Sequence, residues 1–383
     1  MTAVVQATRP MVTYKVLALG GSVADIGLVA ASFGLLSLIV ALPIGRWVDR
    51  GGEARFMVVG AATMAVSVAG AGVSTSIPML ALSQAVLGLG HMSLVVGLQT
   101  MIANRGAATD RDSRFGAFAV VQSLGQLIGP AVAGLLASNG TGSPAVDVVF
   151  AVGAVAASGG VVLALTLGRS RHDLQSQRPT EWQAVEAIGP AVRRVLAVPS
   201  MRQAMLGGIT VVVSVNVLIA YLPAYGEAAG LSVEVVGMLL ALRAAASMAS
   251  RLLIRPMRRR LGRRNLLVVC MVGPALALFS VPLFSEIAVL FVAMLITGFG
   301  LGLGQPLTLS WVAGEAPREL RGTAVAVRMA GNRVGQFAVP ASLGLIAGVA
   351  GVTGVFWSLG FLLILSTVLV RTGHFVEGPI EPA

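Results

Sequence analysis

The sequence predicts an all-α membrane protein in which twelve spanning helices form two pseudo-symmetric six-helix bundles. Three observations predict it. Uncharged apolar runs of roughly 18 to 25 residues recur along the chain, arginines gather in alternate inter-helix loops, and a glycine-bearing register repeats at a fixed offset. Composition agrees: 56% of the 383 residues are hydrophobic, 11% are charged, and the mean hydropathy is +0.87. The repeat is read from glycines. Arg50-Gly51-Gly52 recurs as Arg260-Leu261-Gly262, and 260 minus 50 is 210. The same offset carries Gly20-Gly21-Ser22-Val23 onto Gly230-Leu231-Ser232-Val233, Gly27 onto Gly237, and Gly88-Leu89-Gly90 onto Gly298-Phe299-Gly300.

The first span, residues 1–19, ends before the Gly20-Gly21-Ser22 turn and contains Arg9, Pro10 and Lys15. Its repeat partner runs over about 203–225. Subtracting the offset places the start of span 1 some seven residues before Met1, so we expect the native start codon upstream. Spans 2 to 6 are expected near 24–45, 56–75, 78–103, 115–138 and 147–168, with a turn cluster at Asn139-Gly140-Thr141-Gly142-Ser143-Pro144 between spans 5 and 6. Spans 7 to 12 are expected near 203–225, 233–254, 265–283, 288–312, 322–347 and 353–370. The expected organisation is therefore a bundle over 1–168, a linker over 169–202, a second bundle over 203–371 and a tail over 372–383. Within the linker, Glu181 to Arg202 mixes Trp182, Val185, Ile188, Val192, Val195 and Leu196 with charges, the pattern of a helix lying at the membrane interface.

The net charge of +11 is distributed by side. Twenty-two of the 27 basic residues fall in the loops after spans 2, 4, 8 and 10, in the linker and after span 12. Seven of them stand between Arg251 and Arg264. The opposite loops hold Asp25, Glu227, Glu234 and Glu286 and no Lys or Arg. This places the arginine side and both termini in the cytoplasm, and it reads the charge as topology and not as a nucleic-acid footprint. Cys270 is the single cysteine, which excludes an intrachain disulfide, and no metal-ligand spacing occurs.

Gly45-x-x-x-Asp49-Arg50-x-Gly52 with Arg55 resembles the signature loop between helices 2 and 3 of the major facilitator superfamily, with Glu53 where a basic residue is usual. Gly125-x-x-x-Gly129-Pro130-x-x-x-Gly134 in span 5 is similar to that family's antiporter motif, and span 11 repeats part of it as Gly331-x-x-x-Gly335. One feature departs from the pattern: Gln84 before Gly88 stands where the family has a basic residue in helix 4. The resemblance implies a secondary transporter, in which Asp49, Arg50 and Arg55, echoed by Arg260 and Gly262, act in a cytoplasmic charge relay that helps latch one conformation. Small residues four apart also serve ordinary close packing of membrane helices, which is the other reading of the span 5 motif.

The resemblance further implies that helices 1, 4, 7 and 10 face a central cavity. Five basic residues remain after topology is counted: Arg9, Lys15, Arg243, Arg328 and Arg333. Arg9 lies ten residues from Leu19, about 15 Å along a helix and so about half the hydrocarbon thickness. Arg243 is similarly deep in span 8, whereas Lys15 is placed to snorkel outward. With no carboxylate at that depth, the substrate itself is expected to supply negative charge, as an organic anion or a zwitterion. The alternative is that these arginines bond backbone carbonyls or snorkel to the cytoplasmic face. Uncharged polar candidates are Gln84 and His91 in span 4, Asn216 and Tyr221 in span 7, Thr297 and Gln305 in span 10, and Asn332 and Gln336 in span 11. Gln6 is the repeat mate of Asn216. His91, two turns from Gln84 on one face, is either a proton carrier or a hydrogen-bonded packing residue.

The expected function is proton-coupled efflux of a small organic molecule across a bacterial-type inner membrane, by alternating access. An organic-anion carrier working by uptake or exchange, and a membrane sensor without turnover, are the alternatives. No Gly-rich phosphate loop ending in Lys-Ser or Lys-Thr is present, so neither an enzyme nor ATP drive is expected. The expected partners are the bilayer and the small-molecule substrate, with no cofactor beyond a proton gradient, no metal, no nucleic acid and a monomeric chain.

Overall fold

The computed structural model describes residues 1–47, 53–104, 111–138, 144–169, 188–198, 200–284, 286–316 and 321–372. These residues are helical, with no strand among them. In chain order the helices are α1 (Thr2–Ala18), α2 (Val23–Trp47), α3 (Glu53–Gly72), α4 (Ile77–Asn104), α5 (Arg111–Ala137), α6 (Val146–Arg169), α7 (Ile188–Ala197), α8 (Met201–Ala228), α9 (Val233–Leu252), α10 (Ile254–Ser280), α11 (Ile287–Glu315) and α12 (Arg321–Thr372). Ten of them are long and apolar enough to cross a membrane. In hydrocarbon every backbone N–H and C=O must be satisfied within the protein, which makes helix the outcome for such runs. At 52 residues α12 is two helices joined at Gly351, whose φ of 64° only glycine adopts without strain. Its two halves are expected spans 11 and 12. The 17-residue α1 stands at the place of span 1, and α7 falls within the stretch 169–202 expected as a linker, with Val195 buried and Arg193 and Arg194 exposed. It is shorter than the stretch 181–202, of which residues 181–187 lie outside the described set.

The 210-residue offset is visible in hydrogen bonds. After α1, Gly20 N–H donates to Leu17 O at 2.9 Å and Gly21 N–H to Val16 O at 2.9 Å. After α8, Gly230 N–H donates to Glu227 O at 3.1 Å and Leu231 N–H to Gly226 O at 2.8 Å, each atom being the mate of its counterpart. Gly20 and Gly230 take φ of 76° and 69°, so one left-handed turn ends both helices. The next helix opens with Ser22 and Asp25 bonded reciprocally: Ser22 N–H donates to Asp25 Oδ2 at 2.7 Å, and Asp25 N–H donates to Ser22 Oγ at 3.3 Å.

The chain packs as two compact units. Unit 1 comprises Met1–Pro179, Ile219–Ala241 and Gln336–Val352. In it α3 packs on α4 and α6, α2 on α4, and α1 on α5 and α6. Segments of the second repeat enter this unit through glycine crossings. A Cβ on Gly27 would stand 2.5 Å from the Cα of Gly344 and 2.5 Å from the carbonyl of Pro340; a Cβ on Gly237 would stand 3.0 Å from the Cα of Gly134 and 2.7 Å from the carbonyl of Pro130. Gly27 and Gly237 are repeat mates, as are Gly134 and Gly344, so these are two copies of one crossing. These crossings join segments of both repeats within one unit. Lipid is as apolar as leucine, so close backbone approach through small residues holds such helices together. Lys15 closes one end of the unit. Its Nζ donates to Gly72 O at 2.9 Å and pairs with Asp147 at 2.7 Å, tying α1 to the ends of α3 and α6.

Unit 2 comprises Thr180–Leu218, Leu242–Gly335 and Thr353–Ala383. Here α10 packs on α11, Trp311 is fully buried, and the hydroxyls of Thr210 and Ser366 meet at 2.6 Å. Gly331 and Gly335 lie against Ile209, and Gly335 also against Val213.

Of the signature positions, Gly45 lies in the last turns of α2 and Arg55 is exposed on α3. Asp49, Arg50 and Gly52 lie outside the described residues. Glu53, in the place of the usual basic residue, opens α3 and is buried, where a carboxylate faces the positive end of the helix dipole. Arg260 is exposed on α10, and Gly262 breaks that helix with a φ of 72°.

Candidate functional site

The predicted polar residues separate into two groups, one in each unit. In unit 1 the anchor is α1. Gly125 and Gly129 let α5 lie directly on it, since a Cβ on Gly125 would reach 2.9 Å from Ala3 N and one on Gly129 2.6 Å from Ala3 O. Gly88 lets α4 press against the carbonyl of Phe33 on α2. Arg9 on α1, Phe33 on α2, and Gln84 and His91 on α4 come together in this unit. The Arg9 guanidinium carbon sits 4.8 Å from the centre of the Phe33 ring, a cation–π contact. The Phe33 ring also neighbours His91, with centroids 6.1 Å apart and planes at 43°.

Arg9, Phe33 and Gln84 line a narrow cleft, closed by Val12, Ile26 and Ala30. Gln84 is 3% exposed, and its Nε2 has no hydrogen-bond partner. A buried amide donor without a partner costs about 1 to 3 kcal/mol, which an acceptor entering the cleft would recover. Thr13, also on the lining, donates its Oγ1 proton to the Ala220 carbonyl at 2.7 Å, so its oxygen retains only acceptor capacity. The cleft thus offers a guanidinium, an amide donor and an aromatic face, and none of its lining residues is acidic. Tyr221 lies elsewhere in the unit: it is fully buried, with its hydroxyl against Gly27 and no hydrogen-bond partner.

In unit 2, Arg328 is buried between α8 and α11. Its Nη2 donates to Gln305 O at 3.4 Å and to Thr308 Oγ1 at 3.3 Å, over a floor left open by Gly208. This is the carbonyl-bonding alternative stated for the interior arginines. Arg243 is 3% exposed on α9, and its Nε has no hydrogen-bond partner. Its own carbonyl receives the close approach of Gly298. Arg333 is half-buried on α12, as is Asn332, whose Oδ1 has no hydrogen-bond partner, and Thr297 is fully buried on α11. Asn216 is occupied locally, donating Nδ2–H to Val212 O one turn back at 2.7 Å.

Phe33 is the residue that sequence reasoning missed. A phenylalanine in an apolar helix carries no polar signal, yet 33 plus 210 is 243, so its repeat mate is the buried Arg243. The two mates occupy one architectural position, beneath Gly88 in one copy and Gly298 in the other.

The chain resembles known proteins in sequence and in fold. It is 28% identical over 152 residues to multidrug resistance protein 1 of Bacillus subtilis (strain 168), and 26% identical over 167 residues to multidrug resistance protein 2 of the same organism. These matches cover 40% and 42% of this chain and only 38% and 40% of the relatives' own lengths. Among solved structures, the nucleoside transporter NupG superposes with a TM-score of 0.76 at 14% identity, covering 97% of this chain and 95% of the other. A D-xylose–proton symporter superposes at 0.71 with 15% identity, covering 97% and 96%. A bacterial homologue of the human lysosomal transporter Spinster, inward-facing and occupied, superposes at 0.73 with 14% identity, covering 97% and 95%. At such identities the superpositions establish the fold alone. The sequence profile of the Major Facilitator Superfamily matches residues 2–288 and 204–379. The chain is a multi-pass membrane protein of the transporter fold and belongs to the Major Facilitator Superfamily.

Proposed function

We propose that the protein is a secondary exporter of small organic molecules in a bacterial plasma membrane, driven by the proton gradient, and that its substrate enters the Arg9–Phe33–Gln84 cleft. The observation that carries this reading is the cleft itself, where a guanidinium seated on an aromatic ring stands beside an unpartnered buried amide donor. Charge this deep in a membrane protein is costly and is retained for substrate or ion handling. The partial likeness to two proteins named for multidrug resistance supports the direction of transport. In this reading the Asp49 loop is the cytoplasmic latch. Counterflow in proteoliposomes, screened over neutral, cationic and anionic organic probes with and without a pH gradient, tests it. Saturable flux accelerated by an inward-directed proton gradient is expected; flux indifferent to the gradient would remove proton drive.

A second reading, an organic-anion carrier, is favoured by one specific feature: the two nitrogen donors of the cleft have no carboxylate among its lining residues. The same screen separates the two readings by probe charge.

We assign the coupling proton to His91. Histidine alone among side chains exchanges a proton near neutrality without a large perturbation, and this one abuts the ring that carries Arg9. His91→Ala should retain counterflow while losing its dependence on the pH gradient. Unchanged gradient dependence would leave His91 a packing residue.

A further inference from the structure

The sharpest charge asymmetry in the chain lies between two stretches that the repeat makes equivalent. Residues 41–54 hold Arg46 and Arg50 against Asp49 and Glu53, two minus two, for a net charge of zero. Their mates, 251–264, hold seven arginines and no acid, for a net charge of +7. Orienting the spans makes the same demand on both loops. The excess therefore calls for another cause.

In unit 2 this segment joins α9 to α10. Residues 254–261 form about two helical turns before the break at Gly262. Leu253, Met257 and Leu261 follow one another at four-residue spacing, which places them on one face. Leu253 and Leu261 are 46% and 40% exposed, and the adjoining Leu252 is 81% exposed. On the helical projection Arg258 and Arg260 flank that stripe, and Arg255 and Arg259 lie behind it. All four arginines are exposed, and no salt bridge among the described residues involves them. Their neighbours are engaged differently. Arg263 donates to Ser310 Oγ at 3.0 Å, and Arg264 donates to the carbonyl of Arg371.

We propose that residues 251–264 form a binding site for the headgroups of anionic phospholipids in the leaflet on the arginine-rich side of the membrane. A short helix with leucines on one face and arginines along both margins lies in the interface, its apolar stripe in the acyl boundary and its guanidiniums at headgroup level. Guanidinium is the side chain best matched to a phosphate, through paired donors. A cluster of four to eight basic residues beside a membrane helix attracts anionic lipid at about 1 kcal/mol per residue. The first copy, with no net charge at the equivalent place, lacks such a site. The inference is independent of what the protein exports.

The test is retention of phosphatidylglycerol against phosphatidylcholine by the purified full-length chain, read by native mass spectrometry. The wild type should prefer phosphatidylglycerol. Combining Arg255→Gln, Arg258→Gln, Arg259→Gln and Arg260→Gln should lower that preference by at least about tenfold. The pair Arg193→Gln and Arg194→Gln, at exposed positions of α7, should leave it intact. A preference unchanged in the quadruple variant, or lost equally in the α7 variant, overturns the proposal. If the quadruple variant does not accumulate in membranes, the wild type decides. A photoactivatable phosphatidylglycerol headgroup in proteoliposomes should label 251–264 at least about tenfold over 41–54, because the two stretches differ by seven charges. Equal labelling overturns the proposal, as does full competition by excess glycerol phosphate, which would identify a soluble phosphate ligand.

Discussion

Arg9→Ala should reduce transport by about 30- to 150-fold while leaving the amount of folded protein in the membrane unchanged. A hydrogen bond to a charged group is worth about 1.5 to 3 kcal/mol, and its loss at the upper part of that range gives this factor. The fold should survive because Arg9 is held by the Phe33 ring and lies half-buried on a helix that Gly125, Gly129 and Lys15 anchor independently. Phe33→Leu provides the control. It preserves apolar volume but removes the ring face, a contact of about 0.5 to 2 kcal/mol, so transport should fall by about 2- to 30-fold. If Arg9 meets substrate, Arg9→Ala should lose anionic probes far more than neutral ones, and Phe33→Leu should lose aromatic probes first. Equal loss of every probe in Arg9→Ala would place the guanidinium in the scaffold. Initial rates of counterflow across the probe set, normalised to reconstituted protein, make the measurement.

Sequence alone reaches the fold because a membrane leaves few options. Run length, the side of each arginine and the offset of 210 locate the spans, and α2 to α6, α8, α9 and α11 begin and end close to the expected positions. Expected span 9 began at 265, whereas α10 starts at Ile254 because residues ahead of Gly262 form a helix of their own; arginine-rich sequence is not apolar, but arginine is a good helix former. The candidate site was legible only in part. Arg9, Gln84 and His91 stand out as polar residues in apolar runs, and the structure brings them to one place. Asn216 and Arg328 stand out equally, yet Asn216 donates to a carbonyl of its own helix and Arg328 donates through Nη2 to Gln305 and Thr308. Polarity marks a residue as costly in lipid; it does not say which neighbour meets the cost. Lys15 and Asp147 show the same limit, since no periodicity links positions 132 apart. Phe33 is visible only through its mate Arg243.

The repeat also predicts which glycines hold each copy together. Gly88 presses on the carbonyl of Phe33 and Gly298 on that of Arg243, while a Cβ on Gly90 would stand 2.9 Å from Gly60 O and one on Gly300 2.8 Å from Cys270 O. Residues 33 and 243 are mates, as are 60 and 270, so the two Gly-x-Gly pairs make the same two helix crossings in both copies. Backbone cannot move aside as a rotamer can. Gly88→Val and Gly298→Val should each destabilise by more than about 3 kcal/mol, above the usual range for overpacking a core, because the obstacle is a carbonyl in a neighbouring helix. Helix propensity alone argues the opposite sign: replacing a helical glycine by alanine gains about 0.8 to 1 kcal/mol. Gly116 and Gly159, with nothing within 4 Å of an added Cβ, measure that gain. Gly116→Ala and Gly159→Ala should be neutral or stabilising, so thermal unfolding of the detergent-solubilised chain should move in opposite directions for the two sets. Gly27→Leu stands apart from both. Gly27 meets Gly344 and Pro340, which belong to the other repeat. If the two copies part and rejoin during transport, a leucine there should leave unfolding near the wild-type temperature and stop flux. A Gly27→Leu protein that unfolds as early as Gly88→Val would show instead that this crossing is as permanent as those within each copy.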